Sequence, residues 1–166
     1  MLKLNSYIGE KMSILKVKKY FEKFDIENRV LEFDVSSATV ELASKALNCE
    51  PARIAKSLSF MIAGVPTVIV FAGTTKVSNS KFKHHFGAKA KMLTFDEVES
   101  LVGHKVGGVC PFAINDGVEV YLDLSLKAHQ TIFPACGSSN SAIELTPLEL
   151  EKYSSNFKGW IDVGQE

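Results

Sequence analysis

Nothing in the charge balance of this chain advertises a partner. Over 166 residues, 19 Lys and Arg offset 19 Asp and Glu, so the formal net charge is zero. Without a global field, attraction to nucleic acid or to a membrane surface has to be local. No apolar run is long enough to span a bilayer and no signal-peptide pattern opens the chain, so a cytoplasmic protein with no membrane partner is expected. Cysteine is scarce: Cys49, Cys110 and Cys136 are an odd number at wide spacing, which argues against a disulfide framework and fits reduced thiols. The histidines and cysteines show neither C-x-x-C nor H-E-x-x-H spacing, so no zinc or other metal site is expected. There is also no Walker loop and no dinucleotide fingerprint in a strand-to-helix setting, so no phosphate cofactor is indicated.

What is present is apolar enough to fold. With 46% hydrophobic and 23% charged residues, the chain can fill one core and is short for two. Residues 1–12 show little periodicity and are expected to form a loose tail, leaving 13–166 as a single domain. From Ser13, the residues Ile14, Val17, Phe21 and Phe24 recur at helical spacing, and RVLEFD (29–34) reads as a strand. TVELASKALN predicts a helix with Val40, Ala43 and Leu47 inward and Asn48 as its stop. AKSLSFMIAGVPTVIVFAG is two β-rich runs joined by Ala-Gly-Val-Pro, a hairpin signal. A short helix closed by Gly87 follows. Thr94 and Glu97 then form a T-x-x-E capping box opening a helix that stops at Gly103. Segments 119–126, 131–137 and 141–145 read as strands. Thr146, Pro147 and Glu149 begin a last helix running to about Ser154. The pattern is α/β or α+β, with one mixed sheet.

Three features could carry chemistry. In KVGGVCPFAIND (105–116), Gly107 and Gly108 leave amides unshielded, so that a carbonyl or phosphate can approach, while Pro111 holds the turn. A tight helix-to-strand turn would use the same residues. Lys56 alternates with Leu58, Phe60 and Ile62 on a strand face that otherwise reads as buried. It either snorkels to the rim or is held for a ligand, where it would contact a carbonyl or anionic group or take part in proton transfer. Between Ala72 and Phe95 there is no acidic residue, yet Lys76, Lys81, Lys83, Lys89 and Lys91 occur with His84 and His85. Such a face can track a phosphate backbone, or it is simply a solvated helix. Cys110 with His104 or His129 as base would make a thiol hydrolase; the plainer reading is a small buried thiol.

Taken together, ELASKALNCEPARIAKSLSF (41–60), KVGGVCPF (105–112) and ACGSSNSAIELTPLEL (135–150) resemble the YbaK/EbsC family of trans-editing aminoacyl-tRNA deacylases, related to the insertion domain of bacterial prolyl-tRNA synthetase. Order and spacing of the three blocks agree, over roughly residues 13 to 155. The resemblance implies a mixed sheet curled into a partial barrel with surrounding helices, and hydrolysis of the ester between a wrong amino acid and its tRNA. It implies aminoacyl-tRNA as substrate, prolyl-tRNA synthetase as a candidate protein partner, and no cofactor or metal. Lys56 falls on the family's functional lysine. Gly107 and Gly108 fall on the Gly-Gly pair of the pocket loop, with Val109, Cys110 and Pro111 after them. The amides near Gly108 are expected to meet the oxyanion. Gly137 and Ser138 fall on the third motif. Phe33 stands where YbaK has a tyrosine on the first strand, Cys110 where Ser or Thr is usual, and Ser138 and Ser139 where a basic pair stands. Cys or Ala on proline tRNA is the expected substrate, with the lysines from Lys76 to Lys91 attracting tRNA. The alternative within this fold is a non-catalytic module that keeps the pocket for a nucleotide or aminoacyl group.

Overall fold

Residues 68–71 are Val-Ile-Val-Phe, and none has any exposed surface. A strand apolar on both faces must be covered on both, and that requirement organises the molecule. The computed structural model of the chain describes residues 2–166, apart from the side chains at positions 2, 3, 6 and 7. The buried strand is β3 (Val65–Ala72), which follows β1 (Leu31–Glu32) and β2 (Ile54–Ile62). It sits at the centre of a curled five-stranded sheet with β2, β5 (Glu119–Asp123), β6 (Phe133–Pro134) and β8 (Phe157–Ile161), in the order β6-β2-β3-β5-β8. Only β2 and β3 run antiparallel; the other three pairings are parallel.

Each face has its own helix. Val68 and Val70 pack with Leu122, Cys110, Phe112 and the inward residues Val17 and Phe21 of α1 (Leu2–Glu22). Ile69 and Phe71 pack with Phe60, Ile161 and Phe82 of α3 (Asn79–Phe86). Burying each such side chain stabilises the fold by about 1.5–3 kcal/mol before entropy is counted. The helix α2 (Val40–Leu47) covers a third, smaller cluster around Ala43, Ile54 and Phe133. Asn48 ends it as expected, in the left-handed conformation with φ 51°, and at the start Thr39 stands just outside the helix, its hydroxyl accepting from Leu42 N–H.

A loose tail is expected for residues 1–12, but the described part of it, from Leu2 on, is helical as the start of α1. Once packing of Ile14, Val17 and Phe21 has nucleated the helix, each further turn adds hydrogen bonds at little extra entropy. The weak periodicity has its own cause: Leu4, Ile8, Met12 and Leu15 are exposed, so among the described side chains the apolar residues of this half of α1 do not line up on a buried face.

The hairpin turn is tighter than Ala-Gly-Val-Pro suggests. It uses only Ala63 and Gly64, both at positive φ, and Pro66 already stands in β3 opposite Met61. Met61 N–H points away from β3, to Lys91 O at 2.9 Å, so the ladder needs no N–H at position 66. The helix opened by the Thr94–Glu97 capping box is α4 (Phe95–Glu97), which runs on as a π-helical turn, Val98–Val102, and stops at Gly103. The helix opened by Thr146 is α5 (Pro147–Tyr153).

Four expected strands are shorter; of 141–145, only Ser141–Ala142 is a strand. Of 29–34, only Leu31–Glu32 pairs, with β7 (Ser141–Ala142). Of 131–137, only Phe133–Pro134 joins the sheet, and β5 ends at Asp123, whose carboxylate accepts from Ser125 N–H and turns the chain. Missed altogether were β8, β4 (Lys76–Val77) and β9 (Gly164–Gln165), the last two paired to each other. The strand β8 carries no clean alternation, since Lys158 and Gly159 interrupt it.

Candidate active site

The strand β2 is flanked on one side by β3 along its whole length, but on the other by β6 only at Ile54 and Ala55. Farther along, segment 91–93 closes that edge: Met61 N–H donates to Lys91 O, and Leu93 N–H donates to Ser59 O at 3.0 Å. Between these two covers the edge from Lys56 to Leu58 is open. Since Ser59 and Met61 turn their backbone groups away from β3, Ser57 does the same, so its N–H and C=O face outward. Against this gap lies a cavity of about 480 Å³, lined mostly by apolar side chains. Its walls are residues 54–59 of β2, the start of α2, Met92, Leu93, Phe95 and Val98, the loop residues Val106, Gly107 and Val109, and Phe133, Ala135 and Ala142.

Because alternate strand residues face opposite sides, the cavity wraps around the edge of β2. Ser57 and Ser59 share the α1 side of the sheet with Ala55 and Met61. Lys56 shares the other side with Leu58, Phe60 and Ile62. Lys56 is half-buried and makes no ion pair among the described residues. Its pKa is lowered, chiefly by burial and then by the neighbouring charge of Lys76, with Glu41 acting the other way.

The glycines sit where two loops and a helix stack backbone against backbone. A Cβ on Gly108 would stand 2.6 Å from Gly137 C and 2.7 Å from Ser138 N. A Cβ on Gly137, itself at φ 92°, would stand 2.9 Å from Ser13 O of α1. Of the pair, only Gly107 lines the cavity, at φ 100° and beside Ala38. Gly108 N–H is already committed, donating to Lys105 O at 3.0 Å. Gly107 N–H makes no hydrogen bond among the described residues, so it is free to meet a ligand.

The other expected site residues separate in space. Val109 lines the cavity with Lys56 and Gly107. Phe33 packs against Phe133 and Ala142 just behind the wall and accepts from Asn140 Nδ2 through its carbonyl. Pro111 and Ser138 are buried outside the lining, and Ser138 Oγ donates to Asn140 Oδ1 and lies 2.7 Å from Ser141 Oγ. Ser139 Oγ donates to Glu10 Oε1 at 2.7 Å, which ties the loop to α1.

Cys110 has no exposed surface, and burial pushes its thiol up to about 12. Its sulfur is 3.4 Å from His104 Nε2, but that nitrogen is 2.7 Å from Phe112 O and therefore donates to it. His104 Nδ1 accepts from Ser13 Oγ at 2.8 Å, so the ring is neutral, and burial drives its pKa down to about 4. A protonated thiol beside a neutral, doubly engaged imidazole, out of reach of solvent, is no nucleophile pair. His129 lies elsewhere, closing the turn after β5.

The five lysines of the acid-free stretch are all exposed. Lys81 is engaged with Asp162 Oδ1 and Gly164 O, each at 3.0 Å, and Lys91 adjoins Met92 at the cavity mouth. Sequence reasoning missed the serines of β2 and the exposed rim of Met92, Phe95 and Val106. The available signal was S-x-S inside an apolar strand, which puts two hydroxyls on one buried face.

Residues 35–153 match the family model of the aminoacyl-tRNA editing domain. The chain is 52% identical over 153 residues to the uncharacterized protein YwhH of Bacillus subtilis (strain 168), covering 92% of this chain and 97% of that one. It is 27% identical over 114 residues to a proline--tRNA ligase of Bacillus cytotoxicus, of which it spans only 20%. Among solved structures, a protein described as a candidate trans-editing enzyme for prolyl tRNA synthetase superposes with a TM-score of 0.82 at 25% identity, over 93% of this chain and 98% of that one. The hypothetical protein APE2540 shares the fold, with a TM-score of 0.76 over 88% of this chain and 99% of that one.

Proposed function

Because the chain belongs to the aminoacyl-tRNA editing domain family, we propose that it is a free-standing deacylase that hydrolyses the ester between a wrongly attached amino acid and the terminal ribose of its tRNA. The observation that carries this reading is the open edge of β2, where a half-buried, unpaired lysine and a bare glycine amide flank one apolar cavity. The aminoacyl group enters the cavity. Lys56 contacts the substrate carbonyl or the adjoining phosphate, and the Gly107 amide, rather than Gly108, receives the oxygen that becomes negative as the ester is attacked. The outward N–H of Ser57 is a second donor at the same edge.

The cavity lining contains no carboxylate, imidazole or thiol. The attacking group is then a water oriented by the substrate's own ribose hydroxyl, or the amino-acid side chain itself. Selection rests on the size of the cavity, which separates small side chains only modestly. A small amino acid is therefore the substrate, with Cys or Ala on proline tRNA the first to test. The exposed lysines Lys76, Lys83, Lys89 and Lys91 add salt-sensitive attraction for the tRNA, and Lys81 adds less because it is paired.

The test is deacylation of proline tRNA charged with Cys, Ala, Ser or Pro by wild type and Lys56→Ala. At least one mischarged species should be hydrolysed while the prolyl ester is spared. Lys56→Ala should lower the rate by about 10²–10³-fold. Hydrolysis of none, or a rate indifferent to Lys56, refutes the proposal and leaves a binding module of the same fold.

A further inference from the structure

Two hydroxyls in the cavity wall have nothing to bond. Ser57 Oγ and Ser59 Oγ are both buried, and neither has a hydrogen-bond partner among the described residues. Ser59 is only 4% exposed. Leu93, Val98 and Val109, which line the same cavity, have only carbon in their side chains, Leu93 N–H is spent on Ser59 O, and the backbone groups of β2 are spent in the sheet or turned to its edge. A buried hydroxyl without a partner costs about 1–3 kcal/mol, so an apolar residue would serve the core better here. Both serines lie on the same face of the strand, two residues apart and therefore about 7 Å apart along it. They form a short polar line along β2 in a mostly apolar cavity whose other polar lining residues are Lys56, Ser37, Thr39 and Ser141.

We propose that Ser59, with Ser57 beside it, adds a second specificity-determining element to the size of the cavity, and that it selects an amino acid whose side chain carries a hydroxyl, serine or threonine, over alanine. The inference rests on the editing reading and narrows its substrate class. An alanyl methyl offers the unpartnered Ser59 hydroxyl nothing, whereas a seryl hydroxyl that reaches it supplies the bond it lacks. Sites that bond a substrate hydroxyl reject the analogue lacking it far better than apolar sites reject an extra methylene. A thiol bonds weakly and falls between the two.

The experiment compares kcat/KM for seryl and alanyl esters on the same tRNA, using wild type, Ser59→Ala and Ser57→Ala, with thermal unfolding of each. Wild type should favour seryl over alanyl by tenfold or more. Ser59→Ala should bring that ratio close to one without lowering Tm, because no bond inside the protein is lost. Ser57→Ala should lower the ratio in the same direction. A wild-type ratio near one, or a ratio that neither variant moves, overturns the proposal while continuing alanyl hydrolysis keeps the deacylase reading intact. A fall in Tm of several degrees in Ser59→Ala also overturns it, since the hydroxyl would then be bonded in the free protein. If wild type hydrolyses no ester, the editing reading falls and the selectivity proposal with it.

Discussion

Acid should weaken this protein well before its carboxylates titrate, through His104. The ring is 1% exposed, takes a hydrogen bond from Ser13 of α1 and gives one to Phe112 beyond the glycine loop. Burial lowers its pKa from the ordinary 6.5 to about 4. The unfolded chain therefore takes up a proton near pH 6.5 that the folded protein refuses until about pH 4, so stability is lost as pH falls through that window and is fully present above it. The whole interval corresponds to about 3 kcal/mol, of which about 2 kcal/mol is gone by pH 5. That is a large part of the 5–15 kcal/mol typical of a domain. Glu149 lies on the other side of this window. Its pKa is lowered first by Arg29, so its contribution is present above the ordinary 4.5 and disappears below it. Urea unfolding followed by Trp160 fluorescence from pH 7.5 to 5 should show a falling midpoint in wild type and a much flatter one in His104→Phe, whatever that variant's stability at pH 7.5. An equal slope in both, or a titration of His104 above pH 6 by NMR, would refute the reasoning.

Gly108→Ala should destabilise by about 1–3 kcal/mol or more, because the new methyl meets backbone of Gly137 and Ser138 on a surface that has no side chain to move aside; a midpoint within 0.5 kcal/mol of wild type in urea would show that the loops slide. Cys110→Ala should keep deacylation and lose about 1 kcal/mol of stability, as expected for a small core group, and a folded variant with a hundredfold lower rate would return the thiol to the chemistry. Lys83→Ala with Lys89→Ala should lower the slope of log affinity for tRNA against log salt by about 1 to 2. Lys81→Ala should change it less, since Lys81 is held by Asp162; equal effects at 81 and 83 would refute that ordering.

Several elements were legible residue by residue. Thr94, Thr146, Asn48, Gly87 and Gly103 mark helix ends because capping is local: the threonine hydroxyls accept from backbone three residues on, and Asn48 and the glycines take a left-handed backbone turn whose N–H bonds a carbonyl within the last turn. The β2–β3 hairpin was legible for the same reason, as Ala63 and Gly64 form a local turn. By contrast β8 and β9 were not, because β8 is a parallel edge strand whose pairing with β5 is some 40 residues away in sequence and leaves little trace in its own pattern. The helical residues 2–12 escaped for a related reason, since Leu4, Ile8 and Met12 face outward.

At the site, sequence alone determined the identity of Lys56, Gly107 and Val109, their spacing to β2 and the pocket loop, and the presence of two hydroxyls in an apolar strand. Only the tertiary structure decided which of these meet. It left the edge of β2 open between β6 and segment 91–93, turned Gly107 toward the cavity and Gly108 into the stack on Gly137, and withdrew Cys110 and His104 into the core. The reason is that local bonds are written within a few residues, whereas an uncovered strand edge is set by where distant segments stop pairing.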